Sequence, residues 1–382
     1  MPMGFVSAAG LPIRRPLHNR VGPALGQSRP TLTPSAHTMS MSKSLMARLM
    51  SLCLFGQRHS PVWYRPGYYD TADLEAWDPT GYLLMILDRA RMEAWRSAIR
   101  RQCAGKVVLE IGAGAYAPLS RMCIEAGARR VYAIEGGRRA FEMLKAGIER
   151  DGLTDRIIPI QGQSHTVAGL PEPVDMLVHE LIGEVASNEG MGAIVADAKR
   201  RFLKPGAGFI PRGCTVSMAP AHWSLEHSTI SRLFNGLRRL NKPRALRAAR
   251  EVTLEGIYCV WNFPASHLVG APQEYEAIDF RTDWVECEDR HFTYAIERPG
   301  LFDGLLLWSQ VQVDESTELD LWRGTHWSAI FVQLCAQPVA VQPGDRIVVN
   351  THRDIRGAPV YRFEAELERA GVRSALGRLS VG

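Results

Sequence analysis

Residues 106–112, KVVLEIG, constrain the fold more than any other stretch of this chain. A run of β-branched and apolar residues stopped by glycine reads as a strand buried on both faces, and such strands belong to parallel sheets covered by helices. The pattern then repeats. A helical stretch leads to residues 130–135 (RVYAIE), and a second one leads to 157–160 and then 175–179 (DMLVH). A helix over 191–203, stopped by Lys204-Pro205-Gly206, closes the series. This alternation predicts an α/β, Rossmann-like domain. Ahead of it Tyr82, Leu83, Ile86, Ala90, Trp95 and Ile99 recur at helical spacing and predict one helix over 80–102.

From about residue 213 the texture changes. Short apolar runs at 305–313 (LLLWSQVQV), 329–335 and 345–350 (DRIVVN), bounded by Gly, Pro and Asp, predict a mostly β, barrel-like domain. Residues 224–250 are rich in Arg and Lys and poor in strand formers, which predicts a helical insertion. The expected organisation is a disordered extension (1–60), a helical segment (61–104), a nucleotide-binding domain (105–217) and a β domain (218–382) with a helical arm at 224–250. The extension is rich in Pro, Ser, Gly and Arg. Within it only 41–55 (MSKSLMARLMSLCLF) has the makings of a short amphipathic helix.

Charge and cysteines narrow the class. The chain is +5 overall, but residues 1–69 hold eight basic residues and no acid, so the remainder carries 37 basic against 40 acidic residues. A nucleic-acid binder needs a basic face on its folded part, and none is expected here. No apolar run approaches the ~20 residues that span a bilayer, so no membrane partner is expected. Seven cysteines are scattered and never spaced CxxC, which argues against a disulfide framework or a zinc site. No metal is expected, and a reducing compartment, the cytoplasm, fits best.

Two sites carry chemistry. Gly112 and Gly114 follow the first strand, and Glu135 ends the second. Glycines there let the backbone approach a nucleotide, while an acid at the second strand's end can accept the ribose hydroxyls. Glu110, just before the turn, would repel a pyrophosphate but attract the cationic groups of S-adenosylmethionine, which favours the methyl donor over NAD. Tyr116 stands where a third glycine is usual. The second site is 175–190, DMLVHELIGEVASNEG, at the carboxyl end of a parallel strand, where ligands bind. Glu180 and Glu189 could face one cleft there, and a guanidinium, with five donors in a fixed plane, is their natural complement. Glu184 is a third carboxylate in the loop, and spacing favours Glu189 over it as partner to Glu180.

With these pieces in order, the chain resembles the protein arginine N-methyltransferase family over about residues 66–370. The loop ELIGEVASNEG resembles that family's paired-glutamate loop, most like the divergent branch that includes monomethylating enzymes. Met85, Asp88 and Arg91 match the family's leading helix, and residues 108–114 (VLEIGAG) its glycine motif. Phe302-Asp303-Gly304 with Leu307-Trp308 resembles a barrel strand, and Thr325-His326-Trp327 reproduces the THW loop. The loop lacks the family's usual Trp and Tyr.

The resemblance implies transfer of a methyl group from S-adenosylmethionine to an arginine guanidinium of a protein or peptide. Glu180 and Glu189 would hold the acceptor, and His326 beside Asp88 would take the proton and tie barrel to nucleotide domain. Arg91 would hold the methionine carboxylate, and Glu110, Gly112, Gly114 and Glu135 the rest of the cofactor. The adenine is expected near Gln163, Ser164 or His165. The resemblance also implies a homodimer, with 224–250 as the candidate arm. A small-molecule or modified-peptide methyltransferase of the same fold, or a non-catalytic scaffold, remain the alternatives.

Overall fold

The structure, a computed structural model, describes residues 36–55, 61–64, 67–69, 79–223, 229–241, 251–253, 255–320, 325–356 and 359–381. Five parallel strands form the first sheet, in the spatial order Ile157–Gln161, Arg130–Glu135, Val107–Ile111, Val174–His179, Leu203–Ile210. Val107–Ile111 is central and all five of its residues are buried, as its unbroken apolar run requires. Helices Pro118–Glu125, Arg138–Arg150 and Met191–Arg201 alternate with the strands. The last of these is shorter than expected, because Lys204-Pro205-Gly206 already belongs to a strand. That strand is at the sheet's edge, where a proline's missing N–H removes little of the ladder.

The single helix expected over 80–102 is two, Pro79–Leu87 and Arg89–Gln102, broken at Asp88. Asp88 has φ −73° and ψ 92°, and its Oδ1 accepts the Arg91 amide at 3.1 Å. A short carboxylate that bonds the backbone offers the chain an alternative to continuing a helix, and apolar spacing does not reveal it.

Gly213–Ala221 begins the antiparallel part, two residues after the last parallel strand ends. A seven-stranded sheet joins Val62–Tyr64, Ile257–Trp261, Ala329–Gln333, Gly304–Gln312, Gly213–Ala221 and Gln273–Asp279 in that order, with Glu318–Asp320 added to Gly304–Gln312. A second, four-stranded sheet contains Cys287–Ala295, Arg346–Asp354, Val360–Arg369 and Val372–Val381. A mostly β, barrel-like domain thus follows the α/β one. Val62–Tyr64 pairs with Ile257–Trp261, so the segment expected to be helical begins as an edge strand of the distant β sheet.

The extension expected to be disordered contains a helix, Ala36–Phe55, while 1–35 and 56–60 lie outside the described residues. Ala47, Met50, Cys53 and Leu54 are buried on it. Burial against Pro79–Leu87 and Thr229–Asn241 stabilises what local composition alone would not. Thr229–Asn241 is the helical insertion, and the flanking parts of the candidate arm lie outside the described residues. Its buried Ser231 accepts the Trp63 amide at 3.3 Å and donates to the Pro61 carbonyl at 3.0 Å. Among the described residues no helix is long and apolar enough to cross a membrane, and no group of His, Cys, Asp and Glu could hold a metal.

Candidate active site

At the carboxyl end of Val107–Ile111 the chain turns through Gly112 (φ +75°) and Gly114 (φ +64°), a left-handed backbone that favours glycine. A Cβ on Gly114 would stand 2.8 Å from the Tyr82 ring, so Pro79–Leu87 closes directly over the turn. The Glu135 carboxylate folds back onto it, accepting the amides of Gly114 and Gly137 at 2.8 Å each. Together with Arg91, Glu110, Tyr116 and Glu180 these residues line or support one cleft. Tyr116, in the third glycine's place, forms part of the wall. The chain turns back at Ala117, whose φ is 45°.

Glu110 lines this cleft but not with the expected charge. Burial pushes its carboxyl up to about 8, against a hydrogen bond from Ser120 and helped by the nearby Glu135 charge. Burial thus disfavours the charge on which the preference for S-adenosylmethionine over a pyrophosphate is based. Ser164 is buried and its carbonyl accepts Arg201 Nη1 at 3.1 Å, while His165 is exposed. Neither lines the cleft. Gln163 lies beside Gly136, where a Cβ would meet its Cγ at 3.5 Å.

Asp88 is the junction between the cleft and the β domain. Besides capping Arg89–Gln102, it accepts the His326 amide at 2.7 Å, and its Oδ2 stands 3.5 Å from both His326 Nδ1 and Arg91 Nε. Burial alone would raise its pKa, but the hydrogen bonds of His326 and the charge of Arg91 hold it below the ordinary value. His326 is lowered, chiefly by burial, and so is neutral at pH 7. Its Nε2 reaches Ser51 Oγ at 3.3 Å on the N-terminal helix. The His326–Asp88 pairing implied by the resemblance is thus present. Arg91 Nη1 donates to Glu180 Oε2 at 3.1 Å, and the guanidinium lies 3.2 Å over the Trp327 ring.

The loop after Val174–His179 has no regular structure, yet four hydrogen bonds hold it, one at the strand's last residue, two on the loop backbone and one through a side chain. Trp95 Nε1 donates to the His179 carbonyl at 3.1 Å, Trp327 Nε1 to that of Ile182 at 3.0 Å, and Ser309 Oγ to that of Glu184 at 3.0 Å. Ser187 Oγ and Tyr361 Oη share a bond of 2.7 Å. Three of the four partners come from the β domain. Sequence reading gave no role to Ser309 or Tyr361 and gave Tyr82 and Trp95 only as apolar positions of a helix. The available signal was that a buried indole N–H requires an acceptor.

The loop brings Glu180, Glu184 and Glu189 together. Burial raises Glu180 to about 7, with Arg91 opposing and Asp88 and Glu184 adding to the rise. Glu189 is pushed well above the carboxylate range by burial and by the charges of Glu184 and Glu180, and its Oε1 has no hydrogen-bond partner. Glu184 is also raised by burial, and accepts Asn188 Nδ2 at 3.3 Å. Such a cluster fits a cation that can engage several carboxylates at once.

A parallel sheet with a glycine turn and an acid at the second strand's end, followed by a barrel-like β domain whose Trp327 stacks on the cleft residue Arg91, is a Rossmann-like methyltransferase fold with an appended β domain. No protein-family model matches the chain. It is similar to probable protein arginine N-methyltransferase 6 of Arabidopsis thaliana, 30% identical over 201 residues, covering 52% of this chain and 45% of that one. Protein arginine N-methyltransferase PRMT10 of Oryza sativa subsp. japonica is 28% identical over 302 residues, 70% of this chain and 78% of that one. Protein arginine N-methyltransferase 6 of Danio rerio is 36% identical over 146 residues, 37% of this chain and 41% of its own. The matches to the Arabidopsis and Danio relatives therefore span less than half of those proteins. In fold, it resembles the Arabidopsis thaliana protein arginine methyltransferase 10 in an open conformation, with TM-score 0.60 at 19% identity, covering 78% of this chain and 96% of that one. It also resembles a Trypanosoma brucei PRMT1 enzyme–prozyme heterotetrameric complex with AdoHcy, with TM-score 0.60 at 18% identity, covering 79% and 98%. The relatives it matches in sequence are thus named protein arginine N-methyltransferases, and the solved structures it resembles share its fold.

Proposed function

We propose that the protein transfers methyl groups from S-adenosylmethionine to arginine guanidinium nitrogens of protein or peptide substrates. The observation that carries this is the loop of three partly buried carboxylates, one of which already binds the guanidinium of Arg91. The glycine turn, too tight under Tyr82 for a Cβ at position 114, fits close approach of a nucleotide. Bound there, the cofactor would supply a methyl group on a sulfonium. Gly112, Gly114 and Glu135 would hold its nucleoside end and Arg91 its carboxylate, and of Gln163, Ser164 and His165 it is Gln163, beside Gly136, that would flank the adenine.

In this reading Glu180 and Glu189 grip the acceptor guanidinium, fix its plane and offset the repulsion between two cations brought together. A guanidinium with a pKa above ~12 is costly to deprotonate in advance, so the proton leaves as the N–C bond forms. Neutral His326 beside Asp88 is the proton acceptor we assign. By the resemblance we also propose a homodimer in which Thr229–Asn241 contacts the second copy, its Leu233 and Leu240 being more than half exposed. The free cysteines fit a reducing compartment, and we place the protein in the cytoplasm, which cell fractionation checks.

The test is mass spectrometry of arginine-rich and lysine-rich peptides incubated with the protein and S-adenosylmethionine, beside Glu180→Gln, Glu184→Gln and Glu189→Gln. The expected result is one or two methyl groups on arginine, lost in Glu180→Gln and Glu189→Gln. Cofactor binding without transfer to arginine would overturn the reading. Near-normal activity of Glu189→Gln with loss in Glu184→Gln would overturn the assignment of Glu189.

A further inference from the structure

Glu189 must be aimed by something other than its own contacts, since its Oε1 has no hydrogen-bond partner and its neighbours Glu180 and Glu184 repel it. Two residues earlier, Ser187 is fully buried, and its hydroxyl meets Tyr361 Oη at 2.7 Å. Tyr361 is on Val360–Arg369 in the four-stranded sheet, far from the loop in sequence. Beside Ser187 also lies the carboxyl of Glu276, wholly buried on Gln273–Asp279. Arg353, 3% exposed, donates to Glu276 Oε1 at 2.7 Å and to Glu288 Oε1 at 2.6 Å, and also to the Val285 carbonyl at 2.9 Å.

Removing ions from water costs several kcal/mol each, and an apolar core of the same volume is often no less stable, so the buried Glu276–Arg353 pair, joined by the partly exposed Glu288, is weak as a stabiliser. Its value is geometric: it fixes the Glu276 carboxyl beside Ser187, whose hydroxyl is held by Tyr361. The loop residues between Ser187 and Glu189 are then held from the β domain rather than by the nucleotide domain from which the loop emerges.

We infer that Tyr361 and Ser187, backed by Glu276 and Arg353, are positioning residues that set the orientation of Glu189 from the β domain. This rests on the reading that Glu189 holds the acceptor guanidinium. None of the four lines the nucleotide cleft, so their loss should leave cofactor affinity alone. A carboxylate displaced by a fraction of an ångström to one ångström costs up to about a hundredfold in rate when alignment is the main task.

The experiment compares the full chain with Tyr361→Phe, Ser187→Ala and the double variant. It measures kcat and KM on an arginine peptide, S-adenosylmethionine affinity by calorimetry, and hydrogen exchange by mass spectrometry. The expected result is a fall in kcat of about tenfold or more with cofactor affinity unchanged, and a double variant no worse than the worse single. Amide exchange should quicken over 184–190 and not over 107–114. Unchanged exchange over 184–190 in both single variants would overturn the inference, as would effects that simply add. Quickened loop exchange in a protein whose wild type transfers no methyl to arginine would sustain the positioning of the loop and overturn the arginine reading instead.

Discussion

Replacing Asp88 dissects the joint between the two domains. One carboxylate caps Arg89–Gln102 through the Arg91 amide and accepts the His326 amide from the THW loop. Removing a cap of this type costs about 1 kcal/mol. Losing a hydrogen bond to a charged group, with a buried N–H left behind, costs about 2 kcal/mol. Asp88→Ala should therefore lose about 3 kcal/mol of stability. Asp88→Asn keeps an oxygen for the cap but turns an NH2 toward the His326 amide, so it should lose about 2 kcal/mol.

The assay is urea unfolding at pH 7 followed by tryptophan fluorescence and far-UV circular dichroism. The sign of the pH dependence is fixed by the depressed pKa of Asp88. A folded-state pKa below the unfolded one contributes stability that is fully present above the ordinary value of 3.8 and is lost as pH falls through the lower folded value. The gap between wild type and Asp88→Asn should accordingly narrow below about pH 4. The reasoning fails if Asp88→Asn matches wild type while Asp88→Ala costs only about 1 kcal/mol, because the cap alone would then explain everything.

Glu110→Gln should stabilise the cofactor-free protein, and increasingly so with pH. A carboxyl raised to about 8 when folded costs nothing below its ordinary 4.5 and progressively more up to about 8, so melting curves of the two proteins should coincide near pH 4.5 and diverge by pH 8. A gap independent of pH would refute the protonated state. For the dimer, Leu240→Arg changes a side chain 66% exposed on Thr229–Asn241. Sedimentation should show wild type at twice the chain mass and the variant at the chain mass, with melting temperature unchanged; a monomeric wild type removes the proposal.

What the sequence disclosed was local. The central strands were legible because KVVLEIG and RVYAIE are apolar runs that only a doubly covered sheet accommodates. The glycine turn and Glu135 were legible because each stands at a strand's carboxyl end, and the glutamate loop because it leaves one. The break at Asp88 was not, since its spacing fits a continuous helix and only the His326 amide, 238 residues away, shows why the carboxylate is there. The anchors of the glutamate loop were hidden for the same reason: Ser187 and Tyr361 are 174 residues apart. Nor does a residue's identity reveal its ionisation, and burial of Glu110 raises its carboxyl to about 8.

The acid cluster also explains why arginine and not lysine should be the acceptor. Asp88, Glu180, Glu184 and Glu189 converge on a region where Arg91 is the cation that each of the three glutamates feels. An ammonium is a compact charge with three rotating donors on a flexible stem and remains strongly hydrated. Entering this loop it would lose that water while satisfying one carboxylate well and leaving others raised and unpaired. A guanidinium loses less hydration, presents donors in one plane to two carboxylates at once, and can stack on an indole. Arg91 already does two of these things, 3.1 Å from Glu180 and 3.2 Å above Trp327. In the peptide assay, lysine-rich peptides should therefore stay unmodified while arginine-rich ones gain methyl groups. Equal transfer to both would mean that the carboxylates do not grip the acceptor, and that their burial serves the loop's structure alone.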